Sequence, residues 1–148
     1  ARPAWQGKIK ERAKAYIQKL KAMDNKATQD FAVISYKKMI TNHDAFGYFA
    51  RDYNIEVKSL LGLSTHDSAG PQEMAHLVDY IKKEKVSAIF LENNENPRLL
   101  KQLAKDTNIR VSKPLFTGSL TDEKGAAPTY LKMMGENIKR VRAGLKKR

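Results

Sequence analysis

Apolar positions along this chain recur at three- and four-residue steps in some stretches and run together in others, and the alternation predicts the elements. Trp5, Ile9, Ala13, Tyr16, Leu20 and Met23 mark an amphipathic helix over roughly 4–24, closed by the polar Asp24-Asn25-Lys26. Phe31 to Ile34 is a short apolar patch leading into a first strand, Lys37 to Thr41. Asp44 to Tyr53 reads as a helix with Phe46, Phe49 and Tyr53 inward and Asn54 at its end. Glu56 to Leu63 is a second strand, followed by a polar loop, 64–70. Pro71 opens a helix, where its missing N–H costs nothing, and Met74, Leu77, Val78 and Ile81 form the buried stripe. Val86 to Leu91 is the clearest strand. Asn96-Pro97 caps and starts the next helix, with Leu99, Leu100, Leu103 and Ala104 predicted inside. Ile109 to Phe116 is a fourth strand, and Pro114 near its end suggests a sheet edge. A polar loop, 117–126, precedes a last helix opened by Pro128, with the stripe Leu131, Met134, Ile138, Val141 and Leu145.

Helix first, then strand and helix in alternation, then a long helix: this order predicts an α/β fold with a four-stranded, mostly parallel sheet sandwiched by helices. Such a sheet has its functional edge at the strand carboxyl ends. Those ends are His43, the 64–70 loop, Glu92 to Asn96 and the 117–125 loop, all expected to meet at one crevice.

The 148 residues are enough for one domain with a real core. No apolar run reaches the length of a membrane span, and no signal peptide is visible at Ala1 to Trp5. With no cysteine, disulfides and thiolate metal sites are excluded. The net charge of +12 invites a nucleic-acid reading, but its distribution argues against one. Residues 1–26 hold eight Lys/Arg and two acids, residues 137–148 hold six and none, and the rest balances. The excess therefore sits on two terminal helices, whose cations are expected on a solvated face.

Candidate chemistry centres on His43, where an apolar strand runs into an aromatic helix. The positive end of a helix dipole disfavours protonated imidazole, and neutral imidazole is the metal-binding form. His43 is thus either a packed junction residue or a metal ligand. Glu92 at a neighbouring strand end is a ligand, an acceptor orienting an imidazole, or an acid bonded to a helix amino terminus. His66 and His76 read as surface residues and Met133-Met134 as core packing. No nucleophile elbow, P-loop, His-x-x-x-His pair or Gly-rich dinucleotide loop is present, and no partnered nucleophile, so no enzyme is predicted.

Five segments in order resemble the metal-binding solute receptors of bacterial zinc and manganese ABC importers. They are His43-Asp-Ala-Phe-Gly-Tyr-Phe-Ala, Gly62-Leu-Ser-Thr, Ile89-Phe-Leu-Glu-Asn, Phe116-Thr-Gly-Ser-Leu and Thr129-Tyr-Leu-Lys-Met-Met-Gly-Glu-Asn. The similarity covers roughly residues 8–146. It implies one lobe of a two-lobed periplasmic binding protein whose lobes are joined by a long helix. Residues 1–26 would be the latter part of that helix and 27–148 the carboxyl-terminal lobe, capturing divalent metal for an ABC permease. By resemblance, His43 is a metal ligand, and two others belong to an amino-terminal lobe outside this chain. The fourth, usually Asp, falls where this chain has Gly118. Asp122 or Glu123 is a possible substitute, and binding of Zn2+ or Mn2+ by the lobe alone is expected to be weak or absent. Zinc is expected over manganese, because nitrogen donors suit it better. The resemblance implies a periplasmic or extracellular, surface-anchored location. The alternative expectation is an interaction or adhesion lobe without the metal site, with self-association through the stripe of Trp5, Ile9 and Tyr16. Nucleic-acid binding ranks last.

Overall fold

The structure, a computed structural model, describes residues 3–61 and 70–146. A 3-10 turn, Pro3–Trp5, leads into α1, Gln6–Ala32. There follow β1 (Lys38–Thr41), α2 (Gly47–Tyr53), β2 (Glu56–Ser59), α3 (Pro71–Glu84), β3 (Ala88–Glu92), α4 (Arg98–Thr107), β4 (Val111–Leu115) and α5 (Tyr130–Leu145). All four strands are parallel, in the order β2-β1-β3-β4. Two central strands alternate their side chains between the two faces. Met39, Ala88 and Phe90 join the core under α1, α2 and α5, whereas Ile40, Ile89 and Leu91 join the core under α3 and α4. No helix among the described residues is long and apolar enough to cross a membrane.

The expected α/β sandwich is the observed one, with three local corrections. First, α1 does not stop at Asp24-Asn25-Lys26 but runs to Ala32. Those residues contain no Gly or Pro to break it, and Ala27 and Phe31 extend the apolar stripe by two further four-residue steps into full burial. Second, α2 begins at Gly47 rather than Asp44, because residues 42–46 bend around a carboxylate described below. Third, Leu99 is 38% exposed. Only Leu100, Leu103 and Ala104 of the short α4 meet the sheet, and Leu99 lies a residue off that face. The strands β1, β3 and β4 start one or two residues later than predicted, β2 ends at Ser59 and β4 at Leu115, and β3 runs one residue further, to Glu92. The end of the predicted second strand and most of the 64–70 loop, with His66, lie outside the described residues.

Pro114 sits on β4, which is an edge strand as expected. Asn96 accepts the Arg98 amide at 3.0 Å, and Thr129 accepts the Lys132 amide at the start of α5. Near its end α5 lies directly on the sheet: a Cβ at Gly144 would overlap the Phe90 ring and reach Ser112 Oγ at 3.1 Å. Glycine is there for close approach, not for turning.

Candidate metal centre

The strand order reverses between β1 and β3, because β1 is followed by a neighbour on one side and the chain then crosses to the other. A crevice opens where the loops leaving two adjacent strands part in opposite directions. His43 follows β1 and Glu92 ends β3, so both predicted residues sit at this switch point.

Glu92 is a carboxylate whose side chain is fully buried. Such a group is costly unless its oxygens are satisfied. Oε1 accepts the backbone amides of Asn42 and His43 at 3.0 and 3.1 Å. Oε2 accepts the Thr117 hydroxyl at 3.0 Å and lies 2.7 Å from His43 Nδ1. The imidazole contact is close without being aligned as a hydrogen bond. One side chain thereby joins the ends of β1, β3 and β4, and it bends residues 42–46 before α2 can start. Of the three roles open to Glu92, the geometry matches the acceptor beside an imidazole; the amides it takes precede α2 rather than begin it. With Nδ1 turned to Glu92, Nε2 is the ring nitrogen left for a ligand.

His43 lines an open crevice of ≈ 600 Å³ together with Thr117 and Gly118. Its walls are aromatic and apolar: Phe46, Phe49 and Tyr53 around α2, Phe116 after β4, Tyr130, Met133 and Met134 on α5, and Leu20 and Met23 on α1. Met133 and Met134 are therefore half-buried wall residues rather than core residues. Asp24 of α1 reaches across to α2, where it accepts the Tyr53 hydroxyl at 2.8 Å. Burial first, and this bond to Asp24 second, hold the Tyr53 phenol well above its ordinary pKa.

Four residues absent from the sequence-based candidates fix the segment carrying Gly118. The Asn137 amide pairs with the Phe116 backbone through both of its atoms, each at 2.9 Å. Asn93 Oδ1 accepts the Thr117 amide at 2.8 Å, and Asn94 Nδ2 donates to the Thr117 carbonyl at 2.7 Å. Thr117 itself is the fourth. A signal existed for some of them. Asn137 falls on the buried stripe between Met134 and Val141, where a polar residue needs a partner. The amide-rich Glu92-Asn93-Asn94-Glu95-Asn96 has the composition of a segment that bonds to nearby backbone.

Gly118 has φ +71°, and a Cβ there would meet Asn94 Nδ2 at 3.3 Å. Asp122 and Glu123 are exposed in the following turn and are not among the residues lining the crevice. His76 is exposed on α3. Among the described residues no group of three or more His, Asp or Glu side chains lies close enough together to hold a metal ion.

The fold is similar to one lobe of the two-lobed periplasmic metal-binding proteins. The periplasmic zinc binding protein TroA from Treponema pallidum superposes with a TM-score of 0.91 at 29% identity, covering 99% of this chain and 55% of that one. The metal ABC transporter substrate-binding lipoprotein SsaB of Streptococcus sanguinis is 33% identical over 136 residues, 90% of this chain and 44% of that protein. The zinc-binding lipoprotein AdcA of Streptococcus pneumoniae is 32% identical over 132 residues, 88% of this chain and 26% of that protein. The chain belongs to the family of the periplasmic zinc-uptake complex component A, ZnuA, which matches residues 1–144. This is a solute-binding family rather than an enzyme family. The chain spans less than half the length of these curated relatives.

Proposed function

We propose that this chain is the carboxyl-terminal lobe of a metal-uptake receptor, with residues 1–26 the latter part of the inter-lobe helix and 27–148 the lobe. The receptor captures Zn2+, or Mn2+, and presents it to an ABC permease from a periplasmic or surface-anchored position. The carrying observation is the crevice-lining His43 backed by buried Glu92 at the switch point of the sheet. His43 is the one first-contact ligand this lobe supplies, through Nε2, and Glu92 positions it. An imidazole donor favours zinc over manganese. Open zinc sites keep about three protein ligands, so one imidazole gives weak binding until a second lobe adds donors. Asp122 or Glu123 would supply a carboxylate only after a rearrangement of the 121–125 turn.

The exposed face of α1 supports the two-lobe reading. Trp5 and Ile9 are 54% and 53% exposed, on the same side of the helix as buried Ala27 and Phe31. An amino-terminal lobe is the proposed cover.

The experiment is zinc competition titration of the chain, His43→Ala and Gly118→Asp. His43→Ala is expected to abolish whatever binding the chain has, and Gly118→Asp to strengthen it. Asp is among the few side chains that tolerate positive φ, and its Cβ needs Asn94 to yield only a few tenths of an ångström. Equal binding by all three proteins would overturn the assignment.

The reading as an interaction lobe without a metal site draws on Gly118 and on the two ligands that would belong to an amino-terminal lobe outside this chain. It predicts equal binding in that titration and self-association through the Trp5–Ile9 face.

A further inference from the structure

Four of the seven cations of α1 fall in one row, while Lys10, Lys14 and Lys21 lie on the far side of the helix. Lys8, Arg12, Lys19 and Lys26 follow one another at steps of four, seven and seven residues, which at 3.6 residues per turn holds them on one side of the helix. All four are exposed, and from Lys8 to Lys26 the ridge runs roughly 27 Å. It lies about a third of a turn round the helix from Leu20, which lines the crevice.

At its end the ridge meets a second cationic element. Lys26 borders a groove of ≈ 430 Å³ between α1 and α5, and Lys139, Arg142 and Lys146 border it from α5. Two acids partly balance these: Asp30, 3.3 Å from Lys26 and 3.4 Å from Arg142, and Glu136, 3.4 Å from Lys139. Lys8, Arg12 and Lys19 take part in none of the ion pairs among the described residues. The two helices run alongside in the same direction, since Leu20 shares the crevice with Met133 and Asp30 pairs with Arg142. Lys26 thus joins the ridge on α1 to the cations bordering the groove in one long basic strip.

We propose that this strip seats the domain on an anionic phospholipid surface, its lysines and arginines lying against the headgroup phosphates. The inference rests on the surface-anchored location proposed above. A plane of headgroups suits cations spread along two adjacent helices. Only two rings, Trp5 and Tyr16, lie beside these cations, too few to track successive stacked bases of a nucleic-acid strand along the ridge. A duplex would need an element standing out to enter a groove, which two flanking helices do not supply. Near such a surface each basic side chain strengthens binding roughly fivefold.

The test is co-sedimentation of the chain with vesicles of phosphatidylcholine, with and without one part in three of phosphatidylglycerol. The ridge variant is Lys8→Glu with Arg12→Glu and Lys19→Glu. The control carries the same charge change on the opposite layer: Lys82→Glu with Lys101→Glu and Lys105→Glu, all exposed. The wild type is expected to bind only the phosphatidylglycerol vesicles and to release as salt rises. The ridge variant should bind roughly a hundredfold more weakly, and the control within about fivefold of wild type. No binding to anionic vesicles, or equal losses in the two variants, would overturn the proposal. So would displacement from the vesicles by duplex DNA at equal phosphate concentration. Zinc titration of the same proteins keeps the two readings apart. Zinc binding that fails while vesicle binding behaves as expected sinks the metal assignment alone, and the reverse sinks only the membrane face.

Discussion

The two halves of α1 carry one pattern and meet two fates. Met23, Ala27 and Phe31 continue the four-residue stripe begun by Trp5, Ile9 and Tyr16, on the same side of the helix. Ala27 and Phe31 are buried, with Phe31 only 1% exposed and its ring 5.8 and 5.1 Å from the rings of Phe49 and Tyr53. Trp5, Ile9, Tyr16 and Ile17 are all exposed. Periodicity thus specifies a helix and the face it will bury, but not the surface that buries it. The carboxyl-terminal half finds the sheet and α5; the amino-terminal half finds nothing within the described residues.

That contrast can be broken by substitutions along the helix and around it. Phe31→Ala should show the largest effect, a loss of about 3–5 kcal/mol, because it opens a cavity inside the aromatic cluster. Urea unfolding would measure it, and a loss below a third of that would mean the buried half is packed no better than the exposed half. Next comes Gly144→Ala, on the helix that covers α1. The added methyl overlaps Phe90 and should cost about 1–3 kcal/mol, read in the same unfolding curves.

Tyr53→Phe tests the carboxyl-terminal half of α1, where Asp24 accepts the phenol. This partly exposed bond should be worth about 0.5 kcal/mol. The pH dependence follows from the same groups. Tyr53, and Tyr80 with its bond to Glu56, hold their protons above the usual phenol value of 10.0, mainly through burial and then through those acceptors. In strong alkali the folded chain therefore binds more protons than the unfolded one, and stability falls as pH rises. This contribution is complete below pH 10 and is lost above it. Phenolate absorbance during alkaline titration should show two tyrosines ionising late; Tyr53→Phe should remove one.

The smallest effect belongs to the exposed half. Ile9→Ser in this chain should change stability by no more than about 0.5 kcal/mol. With an amino-terminal lobe joined to α1 the same substitution should cost several times as much. A large loss in the chain as it stands would mean that something within it already covers the stripe.

Much of the fold was readable because its signals are local. The continuous apolar Ala88-Ile89-Phe90-Leu91 can only suit a strand covered on both faces, and α/β alternation then leads to a parallel sheet. Pro71 at a helix start and Asn54 in the left-handed conformation at a helix end act within a turn of their own position, whereas the last helix starts at Tyr130 behind a Thr129 cap rather than at the predicted Pro128. The errors fell where distant partners decide. Asp24-Asn25-Lys26 looks like an end, yet burial of Ala27 and Phe31 carries the helix through it. Leu99 fits an apolar stripe, yet it lies a residue off the face of α4 that the fold covers.

The candidate site divides in the same way. His43 at a strand–helix junction and Glu92 at a strand end were visible in one dimension. Their approach to 2.7 Å was not, since 49 residues separate them. The clasp on Phe116 and Thr117 draws on Glu92 at the end of β3, Asn93 and Asn94 just after it and Asn137 in α5. Local pattern marks those asparagines as needing partners, but not that the partners are Phe116 and Thr117.

By itself the sequence determined the order and type of the elements, the parallel sheet and the placement of His43 at its functional edge. Each follows from short-range sterics, hydrophobic period or residue identity. Only the tertiary structure decided which half of α1 is covered, where α2 begins and which atoms face Glu92. Those outcomes depend on burial and on satisfying a carboxylate removed from water, and both are settled by groups that the fold alone brings together.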